Sequence, residues 1–278
     1  MNLYTITRIK GGVIAWTQEQ VAYIIDKYTQ ENYTLKQLGK EFGCSYGSIK
    51  NLLHRNNIKS RGSKQGYPRQ SDYFKVIDSK SKAYWLGFLC ADGCVHSKNF
   101  NISINITDRE HLIKFQKAIS CPNHKITETI DTRFKNAKPL YQFSIKDKEL
   151  HTSLVVHGCV PQKSLALTKI PNIPRDYVPH FIRGYFDGDG SLHYLKGTNN
   201  FRISFLGTEL FLKDIQKELG VENISLAKGT GEAYVLQIAG RKQIMRILKC
   251  LYNDANQDIR LDRKYSKYLE CSKWAHRH

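Results

Sequence analysis

The sequence predicts an α+β fold in which two pseudo-symmetric repeats, each with the element order αββαββα, follow a small all-α domain. Two observations lead to this prediction. A ten-residue segment at 84–93 returns at 181–190 with a constant offset of 97 residues, and the strand and helix patterns behind each copy follow in the same order. Three short helical patterns precede the first copy and are separated from it by a segment with little core-forming capacity.

The two repeats match element by element. The duplicated segments are YWLGFLCADG and FIRGYFDGDG, and a small residue, an aliphatic residue and a histidine follow each of them. The patterns behind the copies predict strands at 101–106 and 201–206, helices at 108–119 and 209–219, and strand pairs at 125–133 with 141–145 and at 225–228 with 234–238. Two copies of one α/β unit are expected to pack about a pseudo-two-fold axis within a monomer.

The predicted domain boundaries follow from the segment 60–70, which has two Gly, one Pro, two Ser and no Val, Ile, Leu, Phe or Trp. Such a composition is typical of a linker. The predicted organisation is a helical domain at 1–62, a basic linker at 63–80, a first repeat at 81–175 and a second repeat at 176–278.

The first domain has the start and stop signals of three short helices. Thr17, Thr34 and Ser45 are suited to cap helix N-termini, and Gly43 ends the second helix. This pattern resembles helix-turn-helix DNA-binding domains, in which the second helix of the pair enters the major groove. The alternative is a small helical bundle for protein contacts. The residues expected to contact phosphates or bases are Tyr46, Ser48, Lys50, Asn51 and His54, with Arg61 expected to contact phosphate.

Composition limits the class of function. The 278 residues have a formal net charge of +18, which favours a polyanionic partner, most simply a nucleic acid, with an anionic membrane as the rival. No apolar run is long enough to span a bilayer and the first residues lack a signal-type stretch, so membrane and secreted proteins are not expected. The seven cysteines form no CxxC pair, which favours reduced thiols in a cytoplasm or organelle interior.

The duplicated segments predict two apolar helices that pack closely. Gly87 and Ala91 share one helix face, as do Gly184 and Gly188, so the two backbones are expected to approach at these small residues. Each helix ends in Asp-Gly, at Asp92 and at 189–190. Two carboxylates brought together at negative helix ends repel each other, and a divalent cation with oxygen ligands would offset that repulsion.

At these residues the sequence resembles the LAGLIDADG homing endonucleases in their single-chain, two-repeat form, over roughly 83–268. The resemblance implies a saddle of two four-stranded antiparallel sheets on double-stranded DNA. It also implies that Asp92 and Asp189 bind Mg²⁺ or Mn²⁺ at the two scissile phosphates, and that the product is a staggered double-strand cut with short 3′ overhangs. We assign Ala91 and Gly188 to the metal site as well. The first motif has Cys90 where the second has Asp187, and we do not expect this difference to affect catalysis.

Two groups of further residues are assigned from the repeat. Lys163 and Lys264 follow the two copies and resemble the basic residues near the family's active centre, although a plain phosphate contact or a surface position is the alternative for each. Strand alternation places polar side chains on the face expected to contact DNA. These are His96, Asn101, Ser103, Asn105, Gln142, His193, Arg202, Ser204 and Gln237.

Three functions are compatible with the sequence. The first is a site-specific, metal-dependent DNA endonuclease with a long target site and an added helix-turn-helix clamp. The second is a non-cleaving DNA-binding regulator on the same scaffold, which usually lacks one or both terminal acids. The third is an RNA maturase, which the helix-turn-helix pattern disfavours because the A-form major groove is too narrow for a helix.

Overall fold

The structure, a computed structural model, describes the chain at 5–9, 12–31, 33–58, 69–130, 133, 137–160, 166–221, 224–229, 231 and 233–277. The chain forms two compact units, Met1–Arg69 and Gln70–His278. Two predicted site residues, Arg61 and Lys163, lie outside the described residues. No helix in the described ranges combines the length and the apolar character that crossing a membrane requires.

The first unit contains an antiparallel hairpin and three helices. The hairpin strands are β1 (Thr5–Ile9) and β2 (Gly12–Trp16), and the helices are α1 (Gln18–Thr29), α2 (Leu35–Glu41) and α3 (Tyr46–Arg55). The three helices agree with the sequence analysis, which did not predict the hairpin and described this domain as all-α.

The helix caps of the first unit are those that the sequence predicts. Thr17 and Thr34 each form a capping box, with Gln20 and Gln37 respectively, so two otherwise unpaired groups are satisfied at each start. Gly43 has a φ of +61° after α2, a conformation in which other residues are strained. The helices enclose a small core, formed by Trp16, Ile24, Tyr28, Leu38, Ile49, Leu52 and Leu53.

The second unit consists of two repeats with the predicted order αββαββα. The first repeat comprises α4 (Lys80–Asp92), β3 (Gly93–Val95), β4 (Asn101–Ile106), α5 (Arg109–Ala118), β5 (Ile126–Thr129), β6 (Leu140–Lys146) and α6 (Lys148–Val156). The second comprises α7 (Val178–Asp189), β7 (Ser191–Leu195), β8 (Asn200–Gly207), α8 (Glu209–Leu219), β9 (Leu226–Lys228), β10 (Tyr234–Ile238) and α9 (Arg241–Tyr252). A last helix, α10 (Asp262–Arg277), follows, and short 3₁₀ turns occur at Arg175–Tyr177, Lys196–Thr198 and Gln257–Ile259.

Each repeat folds its strands into one four-stranded antiparallel sheet. The strand orders are β3-β4-β6-β5 and β7-β8-β10-β9, so the two sheets have the same topology. One face of each sheet is apolar and buried, as the period-two alternation predicts: Ile102 and Ile104 in β4 and Ile203 and Phe205 in β8 are all fully buried. The two repeats share one continuous hydrophobic core.

Residues 70–79 belong to the second unit, whereas the sequence predicts that they are part of the linker. Tyr73, Phe74 and Ile77 are buried in the shared core, and the Ser71 hydroxyl donates a 2.6 Å hydrogen bond to Asp147. The linker assignment of 63–80 was therefore too long at its C-terminal end. The Gly and Pro content of the preceding residues concealed an apolar pattern that begins at Tyr73.

Candidate active site at the crossing of two helices

The helices α4 and α7 cross with their backbones in contact. A Cβ atom added to Gly184 would lie 2.8 Å from the Phe88 backbone nitrogen and would overlap the Tyr84 carbonyl oxygen. A Cβ atom on Gly87 would likewise overlap the carbonyl of Phe181. The crossing therefore requires glycine at both positions, because no larger residue leaves room for the facing main chain.

The crossing continues to the C-terminal ends of both helices. A Cβ atom on Gly188 would overlap the Cβ of Ala91 and would lie 3.3 Å from the Asp92 nitrogen. The structure thus places all four predicted interface residues at the crossing, and the two Asp-Gly ends lie beside each other. Each helix stops in the same way, because Gly93 and Gly190 adopt extended backbone.

The two terminal carboxylates reach the surface at these adjacent ends. Asp189 is exposed and Asp92 is half-buried. Both act on the same neighbour, Tyr185: burial raises the pKa of its hydroxyl well above the ordinary value, and the negative charges of Asp189 and Asp92 raise it further. The structure therefore brings the two predicted metal-binding acids into one electrostatic environment, at the end of the interface between the repeats.

Lys264, at the start of α10, lies beneath one of these helix ends. Its side chain is buried, and its Nζ donates hydrogen bonds to the carbonyl oxygens of Phe186 at 2.5 Å, Gly190 at 2.5 Å and Gly188 at 3.3 Å. An ammonium group has three protons and here has three acceptors. The repeat predicts a catalytic role for Lys264. In the structure Lys264 holds the last turn of α7, where the negative end of the helix dipole also stabilises a cation.

The charge of Lys264 is sensitive to its surroundings. Burial lowers its pKa to about 8, while the negative charges of Asp187, Asp92 and Asp189 act in the opposite direction. The charge of this lysine therefore interacts with both terminal acids, although its protons are donated to backbone carbonyl groups. A predicted site residue is thus close to the site, but its contacts make it a positioning residue.

Asp187 is the centre of a buried polar cluster that the sequence analysis did not identify. Its carboxylate accepts hydrogen bonds from Tyr252 Oη at 2.5 Å, Tyr84 Oη at 2.7 Å and the Leu261 backbone nitrogen at 2.8 Å. Tyr84 belongs to the first repeat, Tyr252 belongs to the second, and Leu261 is the residue before α10. Burial raises the pKa of Asp187 above its ordinary value, and these hydrogen bonds oppose that shift.

Two further side chains extend the cluster. His111 in α5 pairs through Nε2 with Tyr84 Oη at 3.2 Å, and burial holds the pKa of this histidine well below its ordinary value. Arg183 is fully buried and donates to the carbonyl oxygens of Ile259 at 2.9 Å and Leu251 at 2.8 Å. The sequence signal that could have revealed the cluster is an arginine and an aspartate within an otherwise apolar helix, which must find partners when buried.

Most of the predicted strand residues lie on one face of each sheet. His96, Asn105 and Gln142 are exposed on the first sheet, and His193 and Gln237 on the second. Other members are partly covered: the Ser144 hydroxyl donates to Asn101 at 2.9 Å, Arg202 donates to Gln237 at 3.3 Å, and the Ser204 hydroxyl pairs with that of Ser191. The first sheet departs from the prediction at Ser103, which is buried with its Oγ 3.4 Å from His96 Nε2.

The helix α3 of the first unit presents four of its five predicted contact residues. Tyr46, Lys50, Asn51 and His54 are exposed on it. The fifth, Ser48, is fully buried and lies 3.0 Å from the Ser45 hydroxyl. Its short side chain falls on the same face as the core residues of the helix, so the expectation of a base or phosphate contact was wrong for Ser48.

The chemistry of the helix ends is that of oxygen ligands. Asp92 and Asp189 supply carboxylates, which magnesium prefers, and the chain direction places the carbonyl groups of Ala91 and Gly188 next to them. Within the described residues, no three or more His, Cys, Asp or Glu side chains cluster in a way that would hold a metal ion by themselves. Oxygen atoms from phosphate or water would therefore have to complete the coordination of any ion bound here.

Comparisons with known proteins give structural neighbours only. No family model matches the sequence, and no curated protein matches it. The LAGLIDADG meganuclease I-AabMI, solved with uncleaved DNA, is 12% identical over 69% of this chain and 89% of its own, with a TM-score of 0.44. The I-LtrWI LAGLIDADG homing endonuclease, solved with target DNA, is 10% identical over 73% of this chain and 90% of its own, with a TM-score of 0.44.

A third neighbour is full-length DUF199/WhiA from Thermatoga maritima, which is 15% identical over 72% of this chain and 64% of its own, with a TM-score of 0.40. At these identities the functional assignment must come from the residues of the chain itself. Among the solved structures that this chain is similar to are LAGLIDADG homing endonucleases.

Proposed function

We propose that this chain is a site-specific, metal-dependent DNA endonuclease of the homing type, acting as a monomer with internal pseudo-two-fold symmetry. One observation supports this most strongly: two glycine-packed helices from matched repeats end side by side in Asp92 and Asp189. A carboxylate at a helix C-terminus costs about 0.3 to 1 kcal/mol. Two such carboxylates in adjacent positions are better explained by a shared chemical task than by stability.

The substrate class follows from charge and from the sheet faces. A net charge of +18 suits a phosphate backbone. The same face of each sheet presents exposed side chains that are able to bond base edges and phosphates, such as Gln142 and His96 on one sheet and Gln237 and His193 on the other. In this proposal the sheets lie along the DNA duplex, and α3 of the first unit adds Lys50, Asn51 and their exposed neighbours as a second contact.

Asp92 and Asp189 would hold Mg²⁺ or Mn²⁺ in this proposal, since carboxylate oxygens are the ligands that these ions prefer. When bound, such ions activate water and neutralise the charge that develops on the phosphate in an in-line displacement. The residues of the chain fix the positions of the two acids. Glycine packing fixes the spacing of the two acids, and Lys264 fixes the last turn of α7 from which Asp189 projects. In this proposal each acid serves one strand, so both strands are cut, and the stagger between the two cuts is what the family resemblance implies.

The test uses the full chain, a library of random duplexes, and Mg²⁺. We expect recovery of a long, double-strand-cut target. With that target, Asp92→Asn and Asp189→Asn should abolish double-strand cleavage and leave binding within about tenfold, because an amide keeps the shape but loses the charge. Ca²⁺ should support binding without efficient cutting, since it shares the oxygen ligands but activates water poorly.

The matched control is Asp176→Asn, which makes the same chemical change at an exposed position in the 3₁₀ turn before α7. Its cleavage should equal that of the unsubstituted protein. Full cutting by either active-site variant would refute the proposed roles of the acids. Tight binding of a selected duplex without cleavage under any divalent cation would instead support a non-cleaving DNA-binding regulator, and preferential binding of structured RNA would support a maturase.

A further inference from the structure

The two sheets differ at one row of equivalent positions. Cys94 pairs with Ser103 in the first sheet, and Ser191 pairs with Ser204 in the second, so β4 and β8 can be aligned residue by residue. Two residues further along, the first sheet has a row of three polar side chains across three strands, and the second sheet has a row of three apolar ones. The polar row is Asn105, Gln142 and Thr127; the apolar row is Leu206, Val235 and Ala227.

The apolar row lies on the face of the second sheet that is directed away from the core. Leu206 is 43% exposed, Ala227 is exposed and Val235 is half-buried, while the alternating residues Phe205 and Leu236 are fully buried. The polar row has the same orientation, since its three side chains are exposed. The difference between the rows is therefore one of surface chemistry, on two sheets with the same topology.

One member of the apolar row, Leu206, is hydrogen-bonded through its main chain to the motif helix. Tyr185 in the motif helix α7 donates a 2.7 Å hydrogen bond from its hydroxyl to the Leu206 carbonyl. The same tyrosine lies within the electrostatic reach of Asp189 and Asp92. The Leu206 end of the row is thus linked through Tyr185 to the helix that bears Asp189, the proposed metal ligand.

The size of the row matches one groove of a DNA duplex. Neighbouring strands lie about 4.8 Å apart, so three residues in a row span roughly 10 Å, and the major groove is about 12 Å wide. The apolar group that base pairs present in that groove is the C5-methyl of thymine. Methyl groups also occur at C5 of methylated cytosine, which offers the same chemistry at a different base.

We propose that Leu206, Val235 and Ala227 recognise C5-methyl groups, chiefly those of thymine, in one half of the target site. This inference rests on the proposed DNA-binding function and adds an asymmetry to it. The half-site beneath the second sheet contains A·T pairs with methyl groups toward the row, while the half-site beneath the polar row is selected through hydrogen bonds to base edges. A polar sheet face at both rows would give two half-sites of the same kind.

The test measures binding of the full chain to the duplex recovered from a random library, in Ca²⁺ buffer. Deoxyuridine replaces thymine at each position of one half-site, then of the other. Loss of a buried methyl group is expected to weaken binding by about fourfold per position, in one half-site only. A second set of duplexes has 5-methylcytosine in place of cytosine beside those positions, which shows whether the methyl group suffices without thymine.

The matched variants exchange the two rows. The triple variant Leu206→Asn, Val235→Gln and Ala227→Thr should lose discrimination between thymine and deoxyuridine, and the reciprocal variant with Asn105→Leu, Gln142→Val and Thr127→Ala should gain it in the other half-site. These side chains reach the surface, so the variants should have the same melting temperature as the unsubstituted protein. If the triple variant unfolds, Leu206→Asn alone is measured.

Three results would overturn the inference. One is equal affinity for thymine and deoxyuridine duplexes in both half-sites, and another is unchanged discrimination in the row-exchanged variant. Both leave DNA binding itself intact, so the proposed function would survive them. Failure to select any duplex from the library would remove the proposed function together with the inference that rests on it.

Discussion

The two repeats make matching backbone contacts at their common interface, but the buried side chains around that interface differ. At the crossing, Gly87 faces the carbonyl of Phe181 and Gly184 faces the carbonyl of Tyr84, an arrangement that is the same from either side. Two residues before the terminal acid, the symmetry ends: the second motif helix has Asp187 with three hydrogen-bond donors, and the first has the buried thiol of Cys90.

This difference distinguishes the small residues at the crossing, which both motif helices must have, from the buried carboxylate, which only one of them needs. Close packing at a pseudo-two-fold axis requires small residues on both helices, because either backbone would be displaced by a side chain from the other. A buried carboxylate can link both repeats from one side alone. Asp187 does so, since its partners include Tyr84 of the first repeat and the main chain that begins α10.

The largest expected effect is the loss of protein stability when the buried polar cluster around Asp187 is disrupted. Asp187→Ala leaves two tyrosine hydroxyls and the Leu261 N–H without their acceptor in a dry core, and should lower the free energy of unfolding by about 3 to 5 kcal/mol. Cys90→Ala, at the equivalent position, removes one sulfur atom and should cost about 1 kcal/mol. Urea denaturation measures both. Equal costs would mean that the cluster does not distinguish the repeats.

Equivalent substitutions in α4 and α7 at the symmetric crossing should reduce stability by equal amounts. Gly87→Ala and Gly184→Ala each place a methyl group against a backbone carbonyl, which should cost about 3 kcal/mol in each variant. Gly197→Ala is the control, because a Cβ there meets no atom within 4 Å. Thermal unfolding followed by circular dichroism measures the three. A large cost on one side only would contradict the symmetric packing of α4 and α7.

The smallest expected effect is a pH dependence that arises from the second repeat. Burial and the charge of Arg183 lower the pKa of His180 from 6.5 to about 4, while Asp254 partly opposes them. Below about pH 6.5 the unfolded chain binds a proton that the folded chain does not. The contribution of His180 is therefore present above pH 6.5 and is lost as the pH falls toward 4.

The measurement is urea denaturation between pH 6.5 and 4. His180→Phe should flatten the decline of stability by at most about 1.4 kcal/mol per pH unit, the limit for one proton. The first repeat has Ala83 at the equivalent position, so Ala83→Ser should leave the slope unchanged. Parallel curves for His180→Phe and the unsubstituted chain would show that this histidine is not protonated differently on unfolding.

Sequence reasoning predicted the duplicated fold because its signals are local and repeated. Apolar alternation placed Ile102 and Ile203 on buried faces, and small residues at helical spacing placed Gly184 at the crossing. Contacts between distant segments could not be predicted in this way. The three carbonyl groups that accept hydrogen bonds from Lys264 come from an element distant in sequence. The contact between His96 and Ser103 likewise depends on how separate segments pack. Asp187 occurs in only one copy of the motif, so the repeat gives no signal for its role.

The hairpin of β1 and β2 and the packing of residues 70–79 were missed for a related reason. The hairpin strands are short and mixed in polarity, with no clear alternation, and they stand next to a helical pattern with stronger signals. Tyr73 and Phe74 follow a run rich in Gly, Ser and Lys, and their burial depends on contacts with later parts of the second unit. The packing of residues 70–79 therefore reflects tertiary contacts and not local propensity.

The central claim is that two acids on one helix, only two positions apart, perform different tasks. It is tested by comparing Asp187→Asn with Asp189→Asn, the same change of chemistry, on one selected duplex with Mg²⁺. We expect Asp189→Asn to abolish double-strand cleavage with an unchanged melting temperature. Asp187→Asn should cost about 1 to 3 kcal/mol of stability and still cut at temperatures where it is folded. Retained cutting by Asp189→Asn, or loss of cutting by a folded Asp187→Asn, would contradict this division of roles.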